Sequence, residues 1–302
     1  MKVAIVAIAK WENHYIREFI SHYKNLGVDN IIIGDNNEVD GEHIEAVIQD
    51  FIDEGLVVVK NYRGQIMCQI KFYTDMYKEY GGEYDWLGFF DCDEFLHLNI
   101  HENVKDFLSD SRYDNFKIIR LNWQCYGDDG LIKVEDGNYS MQDRFVTPLD
   151  KDIKVAGLFA NSHSKIFIRG NLGKMIFIGV HGNYSIRECC NDTGKLIDNK
   201  ALTHRISWEV AYLKHYITKT LEEWLIKMKR GYPDKNHRNS NMLSVRRFFM
   251  YNKTTDEKLE FLKSKGKTAP PMFYSPFNNK GVRNFFSNFP PFGPFMNKNK
   301  IK

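Results

Sequence analysis

Nothing in the 302-residue sequence is apolar for long enough to cross a membrane, since no run reaches the roughly 18 residues of a spanning helix. The opening MKVAIVAIAK starts like a secretory leader. However, its apolar run is only residues 3–9 and no small-residue cleavage site follows, so it reads as a first buried strand. Cysteine is sparse and odd in number: Cys68, Cys92, Cys125, Cys189 and Cys190 show no CxxC spacing. That argues against a zinc module or a disulfide scaffold and for reduced thiols in a cytoplasmic protein. Charge of one sign is also missing. A formal net charge of +3 gives no field suited to nucleic acid. There are no internal repeats, and the length suits one large α/β domain or two small ones with an ample core.

What the chain does have is a regular alternation in its first third. Apolar runs at residues 3–9, 30–34, 56–59 and 84–90 predict four strands. Between them, Ile16, Phe19, Ile20 and Tyr23, then Ile44, Val47, Ile48, Phe51 and Ile52, recur at helical spacing, with stops at Gly27 and Gly55. A third helix reaches Tyr80 and ends at Gly81-Gly82. This β-α-β-α-β-α-β order predicts a doubly wound, mostly parallel sheet flanked by helices. Beyond Asp93 the alternation stops. A short helix at 102–108, a strand at 116–121 and a turn at 127–130 are expected, then a polar loop at 136–152. Two strands at 164–168 and 175–180 form a β-rich region, and 188–201 reads as a loop. Helices follow at 207–217, 221–230 and 255–265. The middle one is announced by the capping-box spacing Thr220-x-x-Glu223.

The chemistry concentrates in residues 84–98, YDWLGFFDCDEFLHL. A buried strand ends abruptly in Asp91-Cys92-Asp93-Glu94, and open α/β sheets bind ligands at the carboxyl ends of their strands. A hard divalent cation such as Mg²⁺ or Mn²⁺ takes one or two carboxylates plus substrate phosphates. The plain alternative is an acidic turn after a strand, where Asp is favoured anyway.

Four stretches resemble glycosyltransferases of the GT-A fold, and more narrowly glycosyltransferase family 92 and related family-2-like bacterial proteins. They are Glu12-Asn13 through Asp35-Asn36-Asn37, WLGFFDCDEFL at 86–96, WQCYGDDG at 123–130, and LKHYITKTLEEWLIKMKRG at 213–231. The resemblance implies a glycosyltransferase domain over residues 1–231. Residues 1–98 would bind the nucleotide sugar and 99–231 the acceptor, with a C-terminal extension at 232–302. It implies a metal-dependent transfer from a UDP-sugar, with galactose as the family-level sugar and an inverting course. Asp93 would ligate Mn²⁺ or Mg²⁺, Asp91 the ribose or a metal-bound water, and His215 or His181 a further metal position. Ala9, Lys10, Glu12 and Asp35 would lie along the nucleotide, with Arg63, Gln65 and Gln69 at the start of the third helix and Lys219 at the diphosphate. Glu94 would meet donor hydroxyls or simply start a helix. Lys227 and Arg230 are near enough in sequence to help, although an ordinary solvated helix face suits Lys227 better.

An inverting transfer needs a base for the acceptor hydroxyl. Asp128 and Asp129 are the candidates, against a tight turn that the flanking glycines equally fit. Trp123 and Tyr126 read as a sugar platform or as core. The Phe-, Pro- and Lys-rich residues 270–302 suit a peripheral contact with the inner face of a membrane or a strap over the domain, with a disordered tail as the third alternative. The acceptor expected is a glycan or lipid-linked oligosaccharide of a bacterial surface. Two other classes compete: a haloacid dehalogenase-like phosphatase, whose strand also ends in DxD but usually comes first in the chain, and a non-catalytic glycan-binding protein.

Overall fold

The structure, a computed structural model, describes residues 1–135, 137–173, 176–203, 205–231 and 244–267. Strands β1 (Val3–Ala9), β2 (Asn30–Asp35), β3 (Val57–Asn61) and β4 (Trp86–Phe89) alternate with helices α1 (Ile16–Asn25), α2 (Glu45–Asp53) and α3 (Gln69–Tyr80). These are the elements that the apolar runs predict. β2, β1 and β4 are covered on both faces, so their side chains are apolar without alternation, as in VAIVAIA. Val3, Ile5 and Ala7 pack into one core, while Ala4, Val6 and Ile8 pack into another on the opposite face of the sheet.

After β4 come β5 (Glu94–Leu98), α4 (Val104–Ser109), β6 (Ile118–Cys125) and α5 (Met141–Arg144), then the two-residue strands β7 (Lys154–Val155) and β8 (Leu158–Phe159). They are followed by β9 (Ser164–Arg169), β10 (Cys189–Cys190), β11 (Ala211–His215), α6 (Leu221–Arg230), α7 (Val245–Tyr251) and α8 (Asp256–Ser264). Among the described residues one nine-stranded sheet runs β3-β2-β1-β4-β9-β6-β11-β5, with β10 beside β6. Its first four strands are parallel; β9 runs antiparallel to both neighbours. The expected α/β fold, a mostly parallel sheet leading into a β-containing second half, is therefore what the chain adopts. Two compact units divide it, Met1–Asn252 and Lys253–Lys302. In the second, α8 is capped by the Thr255 hydroxyl, which accepts from the Lys258 N–H.

Several expectations for the second half are corrected. Residues 207–217 are not helical; they contain β11, in which buried Ala211, Leu213 and His215 alternate with half-buried Tyr212 and Lys214. Pairing on both sides, to β6 and β5, overrides the local pattern. Residues 176–178 form no strand, only leading to an isolated bridge between Gly179 and Gly182; Met175 lies outside the described residues. The loop at 136–152 holds α5, and that at 188–201 holds β10. The capping box at Thr220 is present, with its side chain and that of Glu223 exchanging hydrogen bonds with the backbone.

The layout gathers one edge. Antiparallel β9 pairs Ile166 with Phe89, so Ser164 and Lys165 arrive beside the carboxyl end of β4. Parallel β11 and β6 bring His215 beside Cys125, and β5 sets Glu94 opposite His215.

Candidate functional site

A cavity of about 340 Å³ opens at this edge, between the ends of β1, β4, β6 and β11. Residues Asp91–Asp93 turn the chain from β4 into β5. The turn is closed by Glu94 N–H donating to the Asp91 carbonyl (3.0 Å) and Asp91 N–H donating to Glu94 Oε2 (2.9 Å). Asp91 Oδ1 accepts from Gln69 Nε2 (2.9 Å) and the Tyr73 hydroxyl (3.2 Å). Its Oδ2 lies 2.7 Å from Lys165 Nζ, which is also 3.8 Å from Glu94. Lys165 is entirely buried. Burial pushes the Asp91 carboxyl up, yet Lys165 outweighs it and holds Asp91 below its ordinary value. Glu94 goes the other way: burial, with the Asp91 charge adding to it and Lys165 opposing, raises it well above the usual carboxylate range.

Asp93 meets a second set of groups. Its Oδ2 accepts from Lys227 Nζ at 2.9 Å, and its Oδ1 is 3.5 Å from His215 Nε2. Burial would raise this carboxyl, but Lys227 and then His215 hold it well below the usual range, so it is ionised. His215 is pushed down by burial, against the pull of Asp93. Trp123 closes the opposite wall, 4.2 Å from the His215 ring and stacked on His163 at 4.9 Å. His163 and His181 each bring Nδ1 to a main-chain carbonyl, of Ala160 (3.0 Å) and Ser164 (3.1 Å). A carbonyl only accepts, so in both rings the proton sits on Nδ1 and the bare acceptor is Nε2.

Asp93 and His215, with a carboxylate oxygen and an imidazole nitrogen 3.5 Å apart on the cavity, are the residues that would hold a divalent cation. Among the described residues no cluster of three or more His, Cys, Asp or Glu is arranged to hold a metal by itself. The donor set therefore fits a cation that takes its remaining ligands from phosphate and water, and does not fit a closed protein cage.

Of the expected site residues, Ala9, Lys10, Glu12, Gln69, Asp91, Asp93, His181 and His215 line the cavity. Asp35, Arg63, Gln65, Glu94, Lys219, Asp128 and Asp129 do not. Asp35 is buried and receives Arg63 at 2.6 Å and the Asn37 backbone at 3.0 Å. Arg63 also donates to the carbonyls of Glu38, Val39 and Glu42, so this pair ties two loops together. Gln65 is exposed. Glu94 begins a strand, not a helix, and faces Lys165. Lys219, with φ of 54°, lies 3.5 Å from Glu12 and over the Tyr15 ring. Asp128 Oδ1 accepts from Gly130 N–H, and Asp129 Oδ2 from the N–H groups of Val146 and Thr147. Asp128 thus serves the turn that the flanking glycines suggest, and Asp129 ties that turn to the segment after α5.

Sequence reasoning missed Lys165 and His163 and set Lys227 on a solvated face. A lysine inside the apolar strand SKIFIR was the available signal for Lys165, because such a charge needs a buried partner. Arg230 does reach the site, donating to Glu12 and to the Lys10 carbonyl (2.9 Å).

The helix that carries Lys227 and Arg230 is anchored by Glu223. Arg144 donates to both of its carboxylate oxygens (2.9 Å each), and the Tyr15 hydroxyl donates at 2.7 Å. Burial would raise Glu223, but Arg144 and Lys219 bring it down to about 2 from 4.5. A depressed folded value stabilises above the unfolded value and is lost as pH falls through the folded one. Wild type should therefore exceed Glu223→Gln in stability by about 3 kcal/mol near neutral pH, with the gap closing between pH 4.5 and 2. Urea unfolding of both proteins across that range checks it; a pH-independent gap contradicts it.

The family model for glycosyltransferase family 92 matches residues 4–258. A glycosyltransferase family 92 protein of Ricinus communis is 24% identical over 135 residues, covering 44% of this chain and 24% of the relative. One of Arabidopsis thaliana is 30% identical over 129 residues, 40% of this chain and 22% of the relative. The chain thus spans about a quarter of the length of the curated relatives it matches. Among solved structures, S. aureus TarS aligns with a TM-score of 0.41 at 10% identity, over 87% of this chain and 46% of that one. The mannosyltransferase PcManGT from Pyrobaculum calidifontis, in complex with GDP-Man and Mn²⁺, aligns at 0.31 and 8% identity, over 42% of this chain and 36% of that one. Among the described residues no helix is long and apolar enough to cross a membrane. With the family model matching over most of its length, and with Asp91 and Asp93 of the resembling stretch standing together in one cavity, the chain belongs to glycosyltransferase family 92.

Proposed function

We propose that the chain transfers a hexose from a nucleoside diphosphate sugar to a hydroxyl of a glycan or lipid-linked oligosaccharide. UDP is the nucleotide and galactose the sugar in this reading. The observation that carries it is ionised Asp93 facing His215 and Lys227 in a cavity that also presents Lys10 and Arg230. The leaving diphosphate gains negative charge as the anomeric bond breaks, and cations fixed beforehand in a water-poor cleft stabilise that charge. Asp93 and His215 would hold Mn²⁺ or Mg²⁺, which when bound adds further positive charge at the leaving phosphates. Lys227 and Arg230 supply donors on the same wall. Gln69, Tyr73 and Lys165 fix the orientation of Asp91 for a ribose or metal-water contact.

Asp128 and Asp129 lie outside the cavity lining and are not the base in this reading; the acceptor hydroxyl can be oriented by His181, which burial pushes down to about 3 and so leaves a hydrogen-bond acceptor and a weak base. Its Nε2 has no hydrogen-bond partner among the described residues, and Trp123 beside it offers an apolar wall for a sugar ring. The tail assigned to membrane contact or a strap, residues 270–302, lies outside the described residues.

A thermal-shift panel of UDP, GDP, CMP and their sugars, each with Mn²⁺ and with EDTA, tests the proposal. Ligand binding to the native state raises the melting temperature by mass action. A shift with uridine nucleotides that depends on Mn²⁺ is expected. A shift with phosphate or a phosphate mimic and Mg²⁺, and with no nucleotide, overturns it in favour of a phosphatase.

A further inference from the structure

The cations around the cavity are not equivalent. Lys165 is sealed between Asp91 and Glu94 with no exposed surface. Arg230 is committed to Glu12 and the Lys10 carbonyl, and Lys219 lies against Glu12 and the Tyr15 ring. Lys10, paired with Glu38, and Arg247, near the Tyr251 hydroxyl, line the cavity too but are not paired with Asp93; Lys227 is. Its ammonium faces the cavity, and its anionic partner is Asp93, the carboxylate positioned to meet a cation. Its other bond, 3.0 Å to the Ile217 carbonyl, is neutral.

Asp93 is only 7% exposed, so its charge must always have a partner. Without a ligand that partner is Lys227. A divalent cation arriving alone at Oδ1 and His215 meets an ammonium already seated on Oδ2 of the same carboxylate, and the like charges repel, driving Lys227 back toward a single neutral carbonyl. A cation arriving with a diphosphate brings the ammonium a replacement anion within reach of its flexible four-carbon stem.

We propose that Lys227 is a placeholder counter-ion, which occupies Asp93 in the free protein and passes to the donor phosphates when the cation takes its place. The site thereby refuses the bare cation and accepts the cation–diphosphate pair. The inference rests on the donor reading given above. It makes metal and nucleotide binding strongly coupled, with each tightening the other by the same factor.

The test is Mn²⁺ binding to the full chain, followed by electron paramagnetic resonance of the free ion with and without UDP, for wild type, Lys227→Met and Lys227→Gln. Wild type should bind bare Mn²⁺ weakly and gain about tenfold or more when UDP is present, after allowance for chelation by UDP itself. Lys227→Met should bind bare Mn²⁺ about tenfold more tightly than wild type and be raised in melting temperature by Mn²⁺ alone. It should bind UDP about tenfold more weakly when Mn²⁺ is saturating. Lys227→Gln serves if the methionine variant does not fold, and the wild-type coupling stands as a separate check if neither does. A UDP shift in wild type with no Mn²⁺ gain in either variant overturns the placeholder alone. Equal Mn²⁺ affinity of wild type with and without UDP does the same. No UDP shift in any protein overturns the donor reading instead.

Discussion

Asp93→Asn weakens binding of UDP with Mn²⁺ by on the order of 100-fold or more, and the metal-dependent part of the thermal shift disappears. The amide keeps the shape of the side chain but not its charge. Lys227 and His215 then face a neutral group, and the cleft holds an ammonium with no anion. Removing one partner from a buried charged pair costs about 2–5 kcal/mol at a binding site, which is the 100-fold scale. Titration of UDP into both proteins, with and without EDTA, measures it. Asp93→Asn that still binds UDP in a Mn²⁺-dependent manner, within about threefold of wild type, would falsify the assignment of Asp93 to the cation.

Lys165→Met should be the most damaging change to folding. Its ammonium has no exposed surface and is set against Asp91 and Glu94. With the lysine gone, Asp91 loses the charge that offsets its burial and Glu94 loses its cation, so two carboxyls are left side by side without a counter-charge. Breaking a buried pair from one side costs about 3–5 kcal/mol. Pairing Lys165→Met with Asp91→Asn should recover part of the loss, since no charge is then stranded, and the double-mutant cycle gives the coupling directly. Urea unfolding of wild type, both single variants and the double variant reads it out. Strict additivity of the two losses is the contrary result.

The first four strands were legible because burial on both faces writes itself as an unbroken apolar run, and glycine marks each helix stop. The Asp91–Asp93 turn was legible for the same reason: charge after such a run is conspicuous. The second half was harder because its strands pair with partners far along the chain. β11 sits between β6 and β5, whose residues lie more than eighty positions away, and a five-residue AYLKH segment carries little period of its own. Lys227 was hidden by its place on a helix whose moment is that of an ordinary amphipathic surface; only the fold shows that its tip reaches Asp93. Asp35 and Asp129 show the converse. Carboxylates at strand ends and turns look available in sequence, yet each already receives backbone or guanidinium donors. Residue type and position told which groups were ionisable, but not whose bonds they were already making.

One helix links three separate parts of the first compact unit. From α6, Glu223 reaches Tyr15 and Arg144, Lys227 reaches Asp93, and Arg230 reaches Glu12. The counter-charges for three strand ends and loops are thus inherited as a single contiguous cassette of residues 220–230. For chimera building between family members, transplanting that block whole keeps its charge pattern together. The receiving scaffold then needs only matching acids and the Arg144–Tyr15 socket. Exchanging Glu223, Lys227 or Arg230 alone strands the charge of its partner. Recombination with crossovers outside the block should consequently preserve folding more often than recombination within it.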